Sequence, residues 1–281
     1  VFWKAWGDDD IQNVATGEVV EPAAIGVQSY APSGWLSGIA DNVILFGGCQ
    51  LTTVAPTAAQ TDSGWMFGAA TATGAGNQFV LTTNEDNGFI RSDTDTYTRG
   101  DECLAMIALA GGNPNARASF NGFTTTGFGL NWIARATTNR RYMYLVIQGG
   151  LWQCGNFVHD NDTIGNTSTV SGLRFSPKGG LHALKHGAEN ASGLSESDAE
   201  FYFGAWAGLM SRHCMSYMSF NAKSDLRLSL GILYSAFAHA EFFLWGLDID
   251  AINADGFRII TVDQVGSSTQ FVPYLVFGDK A

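Results

Sequence analysis

The sequence predicts an all-β chain of two tandem, duplicated antiparallel β-sandwich domains, jelly-roll-like in type, behind an N-terminal arm. Three observations carry that reading. The segment GFGLNWIARATTNRRYMYLVIQGG at residues 127–150 returns, degraded, as GFRIITVDQVGSSTQFVPYLVFGD at residues 256–279. Short Thr-, Val-, Ile- and aromatic-rich stretches alternate with Gly, Asn, Asp and Ser clusters, the pattern of strands joined by tight turns. The copies are offset by 129 at the Gly of Gly-Phe and by 130 at the Leu of Tyr-Leu-Val. A solenoid repeat spans only about 20 to 50 residues, so this offset fits a whole domain.

Residues 1–22 read as the arm or linker. They open Val-Phe-Trp-Lys-Ala-Trp-Gly-Asp-Asp-Asp, without an initiator Met or the basic-then-apolar order of a signal peptide. The expectation is a chain that begins inside a longer protein or after a cleavage. Trp3 and Trp6, beside Asp8, Asp9 and Asp10, are the candidate partner-anchoring residues, because indole rings offer large contact area at a low side-chain entropy cost.

The first repeat is placed at residues 23–149. Its strand signals are Ile25-Gly-Val-Gln-Ser-Tyr, Val43-Ile-Leu-Phe-Gly-Gly and Trp65-Met-Phe-Gly-Ala, with turn signals at Gly74-Ala-Gly-Asn-Gln and Ala110-Gly-Gly-Asn-Pro-Asn. It closes on what reads as a β-hairpin opening at Gly127, with Phe128 buried. The second repeat, residues 150–281, answers these strands with Trp152-Gln-Cys-Gly-Asn-Phe, Leu181-His-Ala-Leu-Lys-His-Gly, Phe201-Tyr-Phe-Gly-Ala and a second hairpin at Gly256 and Phe257. Residues 222–233 are the one helix candidate.

The closing strands, around Tyr142 to Ile147 and Phe271 to Phe277, are apolar or aromatic at nearly every position. Both of their faces must therefore be covered, one by the opposing sheet and the other by a neighbour. Pro273 has no N–H to give a ladder, which puts its side of the last strand at an edge or a bulge. The 8 Trp, 8 Tyr and 19 Phe suit packing between sheets. Cys49, Cys103, Cys154 and Cys214 fall two per half at unmatched places without Cys-x-x-Cys spacing, which reads as free, mostly buried thiols.

A net charge of −11 excludes nucleic acid as a partner, since phosphate binding needs a basic surface. No apolar run approaches the roughly 18 residues of a spanning helix, so no membrane insertion is expected. Gly-x-Ser-x-Gly, the phosphate-binding Gly-Lys-Ser/Thr loop and His-Glu-x-x-His are all absent. His182 and His186 are spaced like a metal pair, yet the matching strand of the first repeat has no His. Asp248, Asp250 and Asp255 before Gly256 lack the spacing and the closing Glu of a calcium loop. The expectation is no enzyme, no catalytic residue, no cofactor and no metal.

The run of aromatic-x-Phe-Gly-Ala, then Gly-Phe-x-Leu-x-Trp, then Tyr-Leu-Val-x-x-Gly is carried by residues 66–69, 123–132 and 142–149. It recurs at residues 202–205, 252–260 and 271–278, where the turn is Asn253-Ala-Asp-Gly-Phe and Ile-Ile-Thr replaces Leu-x-Trp. It resembles repeat modules in virion proteins of tailed bacteriophages. The resemblance implies a structural or adhesive role on a particle, as head decoration, spike, tail or fibre component. The implied partners are other virion subunits, in a homo-oligomer or a larger assembly, and a host-surface glycan. The implied location is the virion, assembled in the host cytoplasm. The resemblance brings no catalytic residues. Alternatives are an extracellular or surface carbohydrate-binding, lectin-like module and, behind it, a glycan-cleaving enzyme.

Overall fold

The computed structural model describes residues 10–49, 63–86, 93–107, 112–136, 140–197, 199–220, 223–230, 234–237, 243–264 and 269–279. Apolar-polar alternation dictates strands throughout, and no helix occurs among the described residues. The first half holds β1 (Ile11–Val20), β2 (Gly26–Tyr30), β3 (Asn42–Cys49), β4 (Ser63–Ala70), β5 (Gln78–Asp86), β6 (Asp93–Arg99), β7 (Leu104–Ile107), β8 (Pro114–Thr124), β9 (Gly127–Ala134) and β10 (Arg141–Gly149). The second holds β11 (Leu151–Asp160), β12 (Thr167–Val170), β13 (Pro177–Lys185), β14 (Glu196–Ser197), β15 (Ala199–Ala207), β16 (Arg212–Phe220), β17 (Lys223–Leu230), β18 (Tyr234–Phe237), β19 (Phe243–Asn253), β20 (Gly256–Gln264) and β21 (Thr269–Gly278).

These strands form antiparallel sheets. In the first half the larger sheet runs β1-β10-β3-β4-β5-β6, extended at its edge by β14, and the smaller runs β2-β9-β8-β7. In the second half the larger runs β11-β21-β13-β15-β16-β17 and the smaller β12-β20-β19-β18. Position for position the two orders are the same, with β14 the extra strand. Within each half, four consecutive strands run side by side in the larger sheet and three in the smaller. The connections are meanders joined by a few crossings between layers, where a jelly roll would cross repeatedly.

Four sequence expectations change. Residues 11–20, assigned to the arm, are β1, paired with β10 from Ile11↔Gly149 to Val20↔Arg141. Val19 is wholly buried, because every second residue of β1 faces the first core. The closing segment is not a hairpin: β9 pairs β2 and β8, whereas β10 pairs β1 and β3, so the chain changes layer between them. Trp152-Gln-Cys-Gly-Asn-Phe lies on β11 and corresponds to β1, so its alignment with Ile25-Gly-Val-Gln-Ser-Tyr was a slip of one strand. Finally, residues 223–230 form β17, whose Asp225-Leu-Arg-Leu-Ser-Leu alternates with the period of two that belongs to a strand.

Each half buries a core between its two sheets. The first gathers Ile44, Phe46, Met66, Val80, Leu104, Leu130, Trp132 and Val146; the second gathers Leu184, Tyr202, Trp206, Leu247, Ile249, Phe257, Val272 and Val276. A third core lies between the larger sheets and includes Val43, Leu45, Phe79, Leu81 and Ile147 against Trp152, Cys154, Leu181, Phe201 and Leu275. The layers therefore run small, large, large, small. At this central seam, residues in equivalent strand positions meet: Trp65 packs on Phe201 with centroids 4.5 Å apart, and Phe67 on Phe203 at 5.1 Å, both edge to face. That is the self-matching contact of a symmetric dimer, made within one chain.

Repeated devices hold each sandwich. Gly17 stands opposite Tyr144 on β1 and β10, and Gly155 opposite Tyr274 on β11 and β21. A Cβ at Gly17 would sit 2.3 Å from the Tyr144 hydroxyl, and one at Gly155 2.1 Å from that of Tyr274. The ring lies across the bare glycine backbone, filling the gap the missing side chain leaves. Gly127 and Gly256 open β9 and β20, where a Cβ would come within 1.9 Å of the Tyr30 or Val170 carbonyl oxygen. Only glycine lets β2 and β12 approach this closely. The next residues, Phe128 and Phe257, are fully buried, and each turns edge-on to its tyrosine, at 5.2 Å from Tyr144 and 5.3 Å from Tyr274.

The halves differ where Phe46 is replaced by His182. Phe46 is paired with Gly68 and His182 with Gly204, equivalent positions. Both sit edge-on to the phenylalanine at the equivalent position of their half, at 6.1 Å from Phe128 and 5.9 Å from Phe257. The β13–β21 ladder stops at Leu275, and the Pro273 carbonyl instead accepts from His182 Nδ1 at 3.2 Å. Pro273 thus ends pairing on one side of an interior strand.

The β13–β15 connection reaches back to the first half. Asn190 exchanges hydrogen bonds with Thr98, its backbone N–H donating to the Thr98 carbonyl at 3.2 Å and its Oδ1 accepting from Thr98 N–H at 2.8 Å. Glu189 accepts from Gly100 N–H at 2.7 Å, and β14 pairs with β6 through Glu196↔Thr96. This strap covers an edge that would otherwise present unpaired backbone.

Replacing Phe257 with Ala is expected to cost about 3 to 5 kcal/mol, because a fully buried ring is lost and its cavity only partly collapses. A urea titration of the variant measures this, and a loss below about 1 kcal/mol contradicts the packing described.

Candidate functional site

The residues singled out from sequence are scattered by the fold. Trp3 and Trp6 lie outside the described residues. His182 is fully buried in the second core, where Nε2 accepts from Trp206 Nε1 at 3.0 Å and Nδ1 donates to Pro273. Burial holds it neutral, its pKa lowered from 6.5 to about 3. His186 follows the end of β13. Asp248 pairs with Arg212 at 3.0 Å and Asp250 with Arg258 at 2.7 Å, so both carboxylates are spent on β-sheet ion pairs. Asp255 Oδ2 accepts from Gly172 N–H at 3.2 Å in the turn before Gly256. Among the described residues no three His, Cys, Asp or Glu side chains converge as metal ligands. Cys103, Cys154 and Cys214 are buried and form no disulfide.

One buried carboxylate forms a closed network. Glu102 accepts from Tyr97 Oη at 3.0 Å and from Arg117 at 2.9 Å, and Arg117 also donates to Ser192 Oγ of the strap at 2.9 Å. Burial raises the Glu102 pKa, with Arg117 opposing it. The network fastens the strap to the first sandwich, with Arg117 Nε the one arm left without a partner.

Glu21, just past β1, is 3% exposed, and burial raises its carboxyl to about 7 against the pull of Arg140. The partner groups on the neighbouring segment are Arg135 and Arg140, the latter held by Asn115 at 2.6 Å.

The concave feature at the junction of the halves is a cleft of about 490 Å³. The first half supplies Ile39 to Asn42 ahead of β3, Thr71, Ala72 and Asn77 from the β4–β5 turn, and Phe123 from the end of β8. The second supplies Trp152 and Gln153 from β11, with Gly172 and Arg174 from the β12–β13 loop. Two direct bonds close it: Arg174 donates to Asp41 Oδ1 at 2.7 Å, and Cys154 N–H donates to Thr71 Oγ1 at 3.0 Å. Asp41 has φ 58°, the one positive value at a non-glycine among the described residues. Asp tolerates this left-handed conformation better than most residues, since its short side chain bonds locally. Asn42, 6% exposed, donates to the Ile39 carbonyl at 3.0 Å while its Oδ1 has no hydrogen-bond partner. Phe123 stacks on Trp35 at 6.0 Å, which fixes its ring.

No sequence signal brought these residues together. They come from five loops and strand ends distant in the chain, of which Asn77 was marked only as part of a turn and Trp152 and Gln153 only as part of a strand. No family model matches the chain, and no curated protein matches it in sequence.

Two measurements check the electrostatics. Arg174 is 61% exposed, so Arg174→Ala should change stability by less than about 1 kcal/mol in a urea titration. His182 contributes stability that is progressively lost as pH falls from 6.5 toward about 3, because the unfolded chain binds the proton first. Glu21 acts in the opposite direction, its contribution being lost as pH rises from 4.5 to about 7. Unfolding midpoints against pH should therefore show a shallower acid-side fall in His182→Phe, and Glu21→Gln should lose the decline between those two values.

Proposed function

We propose that this chain is a non-enzymatic structural component of a bacteriophage virion, a capsid decoration or spike protein or a tail or fibre component, that docks onto other subunits. The two halves are copies of one module. The observation that carries the reading is where the motif residues fall: the aromatic-x-Phe-Gly-Ala segments on β4 and β15 meet at the central seam, and the Gly-Phe and Tyr-Leu-Val segments lock each sandwich. Residues that carry the resemblance are thus the ones that build the four-layer body, and none is a reactive group.

An uncovered surface supports docking. The face of the larger first sheet that forms the seam continues onto β1 and β10 beyond the second half, and there Val14 and Met143 are 55% and 65% exposed. Val14 is directly opposite Ile147, a member of the seam core. An apolar face that runs on from a packed interface suits a further subunit of the particle. Trp3 and Trp6 would anchor the same contact from the start of the chain.

The test is copurification. The protein should sediment with particles at fixed stoichiometry, and deletion of residues 1–9, which precede β1, should abolish incorporation while shifting the melting temperature of the isolated chain little. Absence from purified particles sinks the reading, and a large fall in melting temperature on deletion would assign the segment to the protein's own fold.

A further inference from the structure

We infer that the cleft between the halves is a binding site for a neutral saccharide. Its size falls within the roughly 300 to 1,000 Å³ of small-molecule sites, and its walls mix two aromatic side chains, Phe123 and Trp152, with polar groups, several of them unspent. The Asn42 amide oxygen is buried without a partner at the cleft wall. Thr71 Oγ1 accepts from Cys154 N–H at 3.0 Å, and its own hydrogen is turned to the Cys154 thiol. Gln153 has no side-chain partner among the described residues, and Asn77 uses only Nδ2, donating to the Thr73 carbonyl at 3.0 Å. Arg174 gives one N–H to Asp41 and retains others.

The balance of these groups selects the ligand class. Asp41 and Arg174 cancel in charge, and the chain as a whole carries −11, so an anion gains nothing from the surrounding field. What remains is a set of interspersed donors and acceptors. Vicinal hydroxyls, each able to donate and accept, satisfy such a set, while phosphate, most of whose oxygens only accept, matches the Asn42 and Asn77 oxygens less well. Phe123, held by Trp35 and by Phe120 at 4.8 Å, and Trp152 give the cleft an apolar wall against which the C–H groups of a pyranose can lie. The cleft opens to solvent and few groups converge, which sets the expected affinity in the millimolar range. Both halves contribute, so the site exists only when they are packed as they are here.

The inference stands apart from the particle reading, and the two fail separately: particle association does not test the cleft, and saccharide binding does not require a particle. The experiment is a ¹⁵N amide NMR titration of the full chain with D-glucose, D-galactose, D-mannose and N-acetyl-D-glucosamine in turn, with inorganic phosphate as the anionic control. At least one saccharide should shift the amides of Thr71, Asn77, Gln153 and Gly172 saturably, and phosphate should leave them in place. Gln153→Ala and Arg174→Ala, both at lining residues that are not fully buried, should each weaken binding about five- to tenfold through a lost hydrogen bond, with the rest of the spectrum retained, and the double variant should lose more. Three results would overturn the inference: no saccharide moves these amides, phosphate moves them equally, or the double variant binds as the parent does.

Discussion

A sheet that is apolar on both faces must be covered twice, and that constraint organises this molecule. The closing strands β10 and β21 place tyrosine and valine on one side and leucine, isoleucine or phenylalanine on the other. One side is met by the four-stranded sheet of the same half. The other is met by the equivalent sheet of the other half, and the seam that results is a buried core rather than a surface contact between independent domains. The positions of Trp65, Phe67, Phe201 and Phe203 follow from it, as does the cleft, whose lining comes from both halves.

Much of this was legible in the chain. Strand content followed from alternation and from turn residues, and the two-sided burial of the closing strands followed from their composition. The glycines of Gly-Phe marked the turns that open β9 and β20, and the phenylalanines after them were legible as buried. Connectivity was harder, for a physical reason: an apolar strand, a polar turn and a second apolar strand look alike whether the second strand pairs with the first or crosses to the facing sheet. The segments from Gly127 and Gly256 take the second course. β1 was lost for another reason. Its IQNVATGEVV is thin in large apolar residues, because Gly17 yields its space to Tyr144 and the outward positions carry Val14, Thr16 and Glu18. The cleft was illegible because its polar groups come from separate loops and are united only by the seam.

The second half is a variation on the first. A phenylalanine position is held by His182, whose two nitrogens are matched to the indole of Trp206 and to the carbonyl freed by Pro273. The three changes compensate one another: the proline removes a ladder bond, the histidine takes up the orphaned acceptor, and the tryptophan satisfies the remaining nitrogen. Without any one of them a buried polar group would be left open, at a penalty of about 1 to 3 kcal/mol.

The strap from β13 to β15 has a consequence for how such a chain can vary. Connections between strands ordinarily accept insertions and deletions, since they run over solvent and bond to little else. This one is bonded to Thr98, Gly100 and Gly112 of the other half and is pinned by Arg117. Its length is fixed by a distance between bodies, not by the turn it makes. Sequence change should therefore concentrate in other loops, and any lineage that alters this connection must alter the edge at β6 with it.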